Sequence, residues 1–246
     1  MKLAALTLDE RGSILSDRLR TRFPRLDELR NGRDGTVGDI FRRAFKDYEG
    51  LVCIMASGIV VRMIAPLAVS KLEDPAVVVL DDAARWAISL LSGHEGGANR
   101  LAYEVAAATG AEPVVSTGSE TVRKATLGVG CRKGVSAEQV ESAVAEALAE
   151  AGLMATDIRC AASIRLKDRE PGLIDAFRRM DIPLQFIGEE RINTFDGPYE
   201  RGGAAERNLG VRAVAEPCAL LIGRRSRILL PKRAKDGVTV AIGMEE

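Results

Sequence analysis

Two short runs, LVCIM at residues 51–55 and AVVVL at residues 76–80, contain no charged or hydrogen-bonding side chain apart from a thiol. A strand with one wet face alternates apolar and polar residues, so runs this short and uniform read as strands buried on both faces. Asp81 and Asp82 end the second run. Around these runs the apolar spacing turns helical, at residues 13–22, 37–45 and 98–109. Residues 2–8, 85–91 and 112–116 read as further strands. A short helix opens at Ser57 and Gly58, with Ser57 as its N-cap, and Pro66 stops it. Buried strands separated by helices predict a Rossmann-like α/β domain with a mainly parallel sheet.

The pattern breaks at residues 116–124, STGSETVRK, a polar and turn-rich linker. A second, smaller α/β domain with a mixed sheet follows, which places the domains at residues 1–120 and 121–246. Its strands read at residues 124–130, 157–164 and 182–188, with helices at residues 136–152 and 170–180. Ser136 is the expected N-cap of the longer helix and Gly152 its end. Residues 195–208 are Gly-rich and polar, a mobile loop by composition, and residues 225–233 and 237–243 predict an antiparallel hairpin.

Composition removes several function classes. Thirty-five basic residues balance 35 acidic ones, which excludes broad nucleic-acid binding. No apolar stretch reaches the length of a membrane span, and the N-terminus lacks a signal-peptide pattern. Cys53, Cys131, Cys160 and Cys218 form no C-x-x-C pair and read as reduced thiols of a cytoplasmic protein. With one histidine in the chain there is no zinc constellation, and no protein-bound metal is expected.

That histidine, His94, sits in LLSGHEGGAN at residues 90–99, between a strand and a helix. Ligands of open α/β sheets collect at strand carboxyl ends, and the first amides of the next helix favour an anion. Gly93, Gly96 and Gly97 allow close backbone approach, and Asn99 opens the helix. His94 is therefore a candidate general acid or base; the alternative is a turn histidine bonded to a backbone carbonyl. A second corner, GVGCRKG at residues 128–134, resembles a loosened dinucleotide fingerprint. That fingerprint wants an acidic residue at the end of the next strand to hold a ribose, whereas Asp157 comes before the strand IRCAASI, which counts against a nucleotide. Gly130, Arg132, Lys133 and Gly134 instead suit a carboxylate, with two solvated turn charges as the alternative. Arg62 lies one turn into the helix opened by Ser57 and Gly58, which has no base nearby to make Ser57 a nucleophile. Lys167 and Glu170 flank another strand–helix junction, as a site pair or an exposed ion pair. Glu216 reads as a helix-start carboxylate.

Taken together, several long motifs carry a resemblance. Residues 55–102, MASGIVVRMIAPLAVSKLEDPAVVVLDDAARWAISLLSGHEGGANRLA, resemble the N-terminal domain of the CbiG family of cobalamin biosynthesis. LGVGCRKGVSAEQVESAV, ASIRLKDREPGLIDAF, VAEPCALL and LLPKRAKDGVTVAIG are similar to its C-terminal domain, which is itself like the stand-alone CobE. Many members carry an extra segment between the domains, whereas here the linker runs almost directly from Glu120 to Thr126. The resemblance implies a cobalt-precorrin-5A hydrolase, which opens a δ-lactone and releases acetaldehyde to give cobalt-precorrin-5B. It implies a cobalt-corrinoid polycarboxylate as substrate, other enzymes of the pathway as partners, and no cofactor of the protein's own, because the substrate carries the cobalt. On that chemistry His94 is the expected base, amides near Gly96 and Gly97 the oxyanion donors, and Arg62, Arg132, Lys133 and Lys167 the partners of substrate carboxylates. A non-catalytic corrinoid carrier and a nucleotide-dependent enzyme are the alternatives.

Overall fold

The computed structural model describes residues 1–199 and 211–246. The chain divides into two compact units, Met1–Thr117 and Gly118–Glu246.

The first unit is a six-stranded sheet in the order β2-β1-β3-β4-β5-β6. Its strands are β1 (Leu3–Thr7), β2 (Asp27–Arg30), β3 (Gly50–Ile54), β4 (Ala76–Leu80), β5 (Trp86–Leu91) and β6 (Glu112–Val114). The helices are α1 (Glu10–Arg20), α2 (Val37–Asp47), α3 (Ser57–Ile64) and α4 (Ala98–Thr109). Period-two alternation sends side chains to both faces of the sheet. Leu3, Ala5, Val52, Ile54, Val78 and Leu80 pack with α1 and α4, while Ala4, Leu6, Leu51, Cys53, Val77 and Val79 pack with α2 and α3. That is why the two opening runs carry no polar residue.

β1 to β4 are mutually parallel, but β5 pairs antiparallel with β4, Val77 opposite Leu91 and Leu80 opposite Ala87. The reversal is a tight turn at residues 81–85, in which Ala84 takes a positive φ of 52°. α3 begins at Ser57, its N-cap is Ala56, and no side chain caps it. Ser57 is therefore the first helical residue and not the cap expected from the sequence.

The second unit is a five-stranded mixed sheet in the order β10-β11-β7-β8-β9. A short helix, α5 (Gly118–Thr121), precedes β7 (Ala125–Cys131), α6 (Ala137–Ala151), β8 (Ile158–Ile164) and α7 (Pro171–Arg179). β9 (Leu184–Ile187), α8 (Glu189–Thr194), α9 (Ala215–Leu221), β10 (Ser226–Lys235) and β11 (Val238–Glu245) complete it. β7, β8 and β9 run parallel, and β11 pairs antiparallel with both β7 and β10. α6 starts on a capping box of Ser136 and Gln139 and ends at left-handed Gly152. One face of the sheet is buried by α6 and α7 around Leu127, Val129, Val140, Val144, Leu173 and Phe177. On the other face lies α9, whose approach requires glycine: a Cβ on Gly128 would stand 1.8 Å from the Ala215 carbonyl oxygen. Of the predicted loop at residues 195–208, residues 200–208 lie outside the described residues.

Candidate functional site

The carboxyl ends of β7 and β8 lie on one edge of the second sheet, and the β10–β11 hairpin closes beside them. The hairpin turns at Asp236 and Gly237, with φ of 47° and 84°, the two positive values of a type I′ turn. The Arg132 amide donates to the Gly237 carbonyl at 2.9 Å, and Gln139 Nε2 donates to the Asp236 carbonyl at 3.2 Å. These bonds fix the hairpin tip against the β7–α6 turn.

Between them is a cavity of about 940 Å³, lined by Gly130, Cys131, Arg132, Lys133, Lys167, Glu216, Lys232, Lys235 and Asp236 among others. The volume is at the upper end for small-molecule sites. Five of the lining residues are cationic and two are acidic. Four residues expected from the sequence, Gly130, Arg132, Lys133 and Lys167, are thus brought together. Arg132 and Lys133 are exposed, whereas Lys167 is only 8% exposed.

Glu170, itself buried, organises this edge. Its Oε2 accepts from Lys167 Nζ at 3.3 Å and its Oε1 accepts from the Gly134 amide at 2.9 Å. The expected exposed ion pair is therefore a buried one. Glu170 does not line the cavity but holds the Lys167 ammonium and the Arg132–Lys133 turn in place, and Gly134 acts through that bond. The glycines read as a loosened nucleotide loop have reasons within the chain: Gly128 admits α9, and the Gly134 amide is occupied by Glu170. Burial, with Glu170 adding and Lys167 opposing, pushes the Cys131 thiol up to about 11, so it stays protonated at neutral pH.

Glu216, Lys232 and Lys235 join the cavity without having been singled out as a site. Glu216 is 3% exposed, and its Oε1 accepts from the Lys232 amide at 3.1 Å. That amide falls where the β10–β11 register shifts between Leu230 and Arg233, a bulge that interrupts the ladder. Lys235 pairs with Glu146 of α6. The basic run PKRAK immediately before an Asp-Gly turn was the available signal for this rim.

The first-unit candidates divide differently. Ser57, Gly58 and Arg62 are exposed beyond the carboxyl end of β3. His94 is exposed on the bend after β5. Because β5 is antiparallel, this bend lies at the opposite end of the sheet, the length of a five-residue strand away, about 16 Å. One sheet-edge pocket does not hold both groups. The glycine corner is also built by contacts within the unit. A Cβ on Gly93 would meet Asn99 Oδ1 at 2.7 Å, and one on Gly96 would meet the Ser92 Cβ at 2.5 Å; Gly97 has a φ of 85°. The Ala98 and Asn99 amides donate to the Ser92 and Gly93 carbonyls at 3.2 and 2.9 Å, so they are not open to an anion. Asn99 is buried, accepting from Ser89 at 2.8 Å and donating to Thr117 at 2.8 Å. Gly93, Gly96, Gly97 and Asn99 thus shape the bend that displays His94. Beside it Lys71 and Glu95 form an ion pair at 2.7 Å.

Comparison with known proteins adds a separate line. Residues 39–120 match the model described as Cobalamin synthesis G N-terminal, and residues 125–243 match Cobalamin synthesis G C-terminus. The chain belongs to the cobalamin synthesis G family. Both units therefore carry family sequence, the His94 bend in one and the cationic cavity in the other. Among members, the cobalt-precorrin-5A hydrolase of Priestia megaterium is 24% identical, with 85% of this chain and 82% of that protein aligned. The cobalt-precorrin-5A hydrolase of Salmonella typhimurium is also 24% identical, over 86% of each chain. Protein CobE of a Sinorhizobium species is 30% identical, with 47% of this chain and 77% of that protein aligned. The Priestia alignment runs over 308 positions although this chain has 246 residues, so that relative carries segments absent here.

Proposed function

We propose that this chain is a cobalt-precorrin-5A hydrolase, opening the δ-lactone of a cobalt-corrinoid polycarboxylate and releasing acetaldehyde to leave cobalt-precorrin-5B. The observation that supports it most is the cationic cavity of the second unit, set in a chain whose formal net charge is zero. A macrocycle rimmed with acetates and propionates needs several fixed cations within one large concavity. Arg132 offers a planar fork to a carboxylate, and Lys133, Lys167 and Lys232 offer point charges. Each charge-assisted bond is worth about 1.5–3 kcal/mol. Lactone opening adds one more carboxylate to the ligand, so the same cations favour the opened form.

His94 is the proposed base that takes a proton from the attacking water, an exposed imidazole on a bend closed by the Ala98–Ser92 and Asn99–Gly93 backbone bonds. When the carbon–carbon bond then breaks, the conjugated ring takes the electron pair. The substrate brings both its metal and its electron sink.

Anaerobic turnover with the cobalt lactone substrate, scored for acetaldehyde, tests this reading. Stoichiometric acetaldehyde is expected. Tight corrinoid binding with no acetaldehyde would make the protein a carrier, and absence of binding would discard the cavity as the substrate site.

A further inference from the structure

We propose that the cleft at the amino ends of β1 and β2 is a subsite of the first unit for one acid side chain of the corrinoid, with Arg22 and Arg25 binding its carboxylate. The inference rests on the hydrolase reading above and on His94 as its base. It assigns the groups that hold a ligand at the edge of the sheet where His94 stands.

Register defines that edge. β1, β3 and β4 start at Leu3, Gly50 and Ala76, and β5, running the other way, ends at Leu91 opposite Val77. The His94 bend therefore shares its edge with the amino ends of the parallel strands, while Arg62 follows the carboxyl end of β3. Because β1 and β2 are parallel, α1 returns the chain to this same edge. The chain then turns through Arg22, Phe23, Pro24 and Arg25 into β2. Met1 joins the two places: it lines the cleft, and a Cβ on Gly97 of the bend would meet its Cε at 3.3 Å. Three strand spacings separate β1 from β5, about 14 Å. A macrocycle with extended acid side chains covers that span.

The cleft has a volume of about 320 Å³. That is the lower end for a small-molecule site, room for a side chain and not for the ring. Its walls are Met1, Leu3, Phe23, Pro24 and Leu26, all apolar, together with the two arginines; no carboxylate lines it. Arg22 is half-buried and Arg25 exposed. Arg20, just before them, is engaged by Asp17 and Glu28 and stands outside the lining. An acetate or propionate is a short methylene stem ending in a carboxylate. Apolar walls suit the stem, and a planar guanidinium fork suits the carboxylate. The cleft thus matches in miniature the group that the corrinoid repeats around its rim.

The test is steady-state acetaldehyde release by the full chain from the cobalt lactone substrate. The parent is compared with the paired variant Arg22→Gln and Arg25→Gln, and with Arg18→Gln, which removes an exposed charge of α1 outside the cleft. The paired variant should raise KM by about tenfold or more with kcat held within about twofold, as for a contact made equally in ground and transition states. Arg18→Gln should keep the parent KM. If the paired variant does not fold, Arg25→Gln alone, at an exposed position, carries the comparison with an expected rise of about threefold or more. A KM at the parent level returns both arginines to solvated surface and overturns the subsite. An equal rise in Arg18→Gln also overturns it, in favour of the general field of α1. In either case the hydrolase reading stands, whereas a parent that releases no acetaldehyde removes both.

Discussion

Where a side chain would stand on Gly128, the carbonyl of Ala215 already does, so Gly128→Ala must push α9 off the sheet that carries the cavity. Overpacking of this kind costs about 1–3 kcal/mol when neighbours can yield, and backbone yields less readily than side chains. Chemical denaturation should show the variant destabilised by at least the upper figure, and a midpoint unchanged from the parent would mean that α9 shifts freely. Charge removal on the rim should act on affinity instead. Replacing Arg132 and Lys133 together by alanine should weaken corrinoid binding by about tenfold or more at low salt, measured by titration; unaltered affinity would return both to the role of solvated turn charges. His94→Gln should fold and bind but lose about 10²- to 10⁴-fold in lactone opening. Single-turnover rates at the parent level would make it a display residue of the bend. That Arg132, Lys133 and Lys167 stand at turns after strand ends was legible from the sequence, and the structure brings the three to one cavity. Glu216 and Lys232 were not, because 16 residues separate them from each other and about a hundred from Arg132, and only the pairing of β11 with β7 brings them to one place.

A helix with strong local signals at both ends was read to the residue: α6, from Ser136 to Gly152. β2 was missed because DELR offers no apolar alternation, being a four-residue edge strand of which only Leu29 packs against a core. The direction of β5 was hidden for another reason. Its residues specify a strand, but polarity is set by the turn before it. In that turn Asp81 Oδ1 accepts from the Arg85 and Trp86 amides at 2.6 and 2.8 Å, and Oδ2 accepts from Arg85 Nε at 2.8 Å. Burial acts to raise the Asp81 carboxyl, but these bonds outweigh it and hold the group below its ordinary value. A depressed carboxyl contributes stability that is complete above its unfolded value of 3.8 and is lost as pH falls through the lower, folded one. Asp81→Asn should therefore cost about 1–2 kcal/mol at neutral pH and flatten the acid limb of the first unit's stability profile. Parallel parent and variant curves between pH 5 and 2 (approximate bounds, about one and a half units either side of that value) would show that the turn does not depend on the charge.

Across the whole molecule, 35 positive and 35 negative residues cancel, while five cations gather at one cavity. Corrinoid affinity should accordingly fall with added salt although the protein as a whole carries no net charge, a dependence that titration at several ionic strengths would reveal. The division into two α/β halves was legible because a polar linker interrupts two complete runs of strand and helix signals; the placing of the break between Thr117 and Gly118 was not, since α5 is too short to announce itself. The hairpin that closes the cavity also sets a timetable. A two-residue turn lets β10 and β11 meet within microseconds, but β11 must then find β7, more than a hundred positions earlier in the chain. Non-local pairing of that kind comes late, after the loop entropy has been overcome. On the ribosome, Arg132, Lys133 and Lys167 emerge long before the strand that walls them in. A nascent chain therefore carries these charges without the enclosure, and the cavity is walled only when synthesis has passed residue 245.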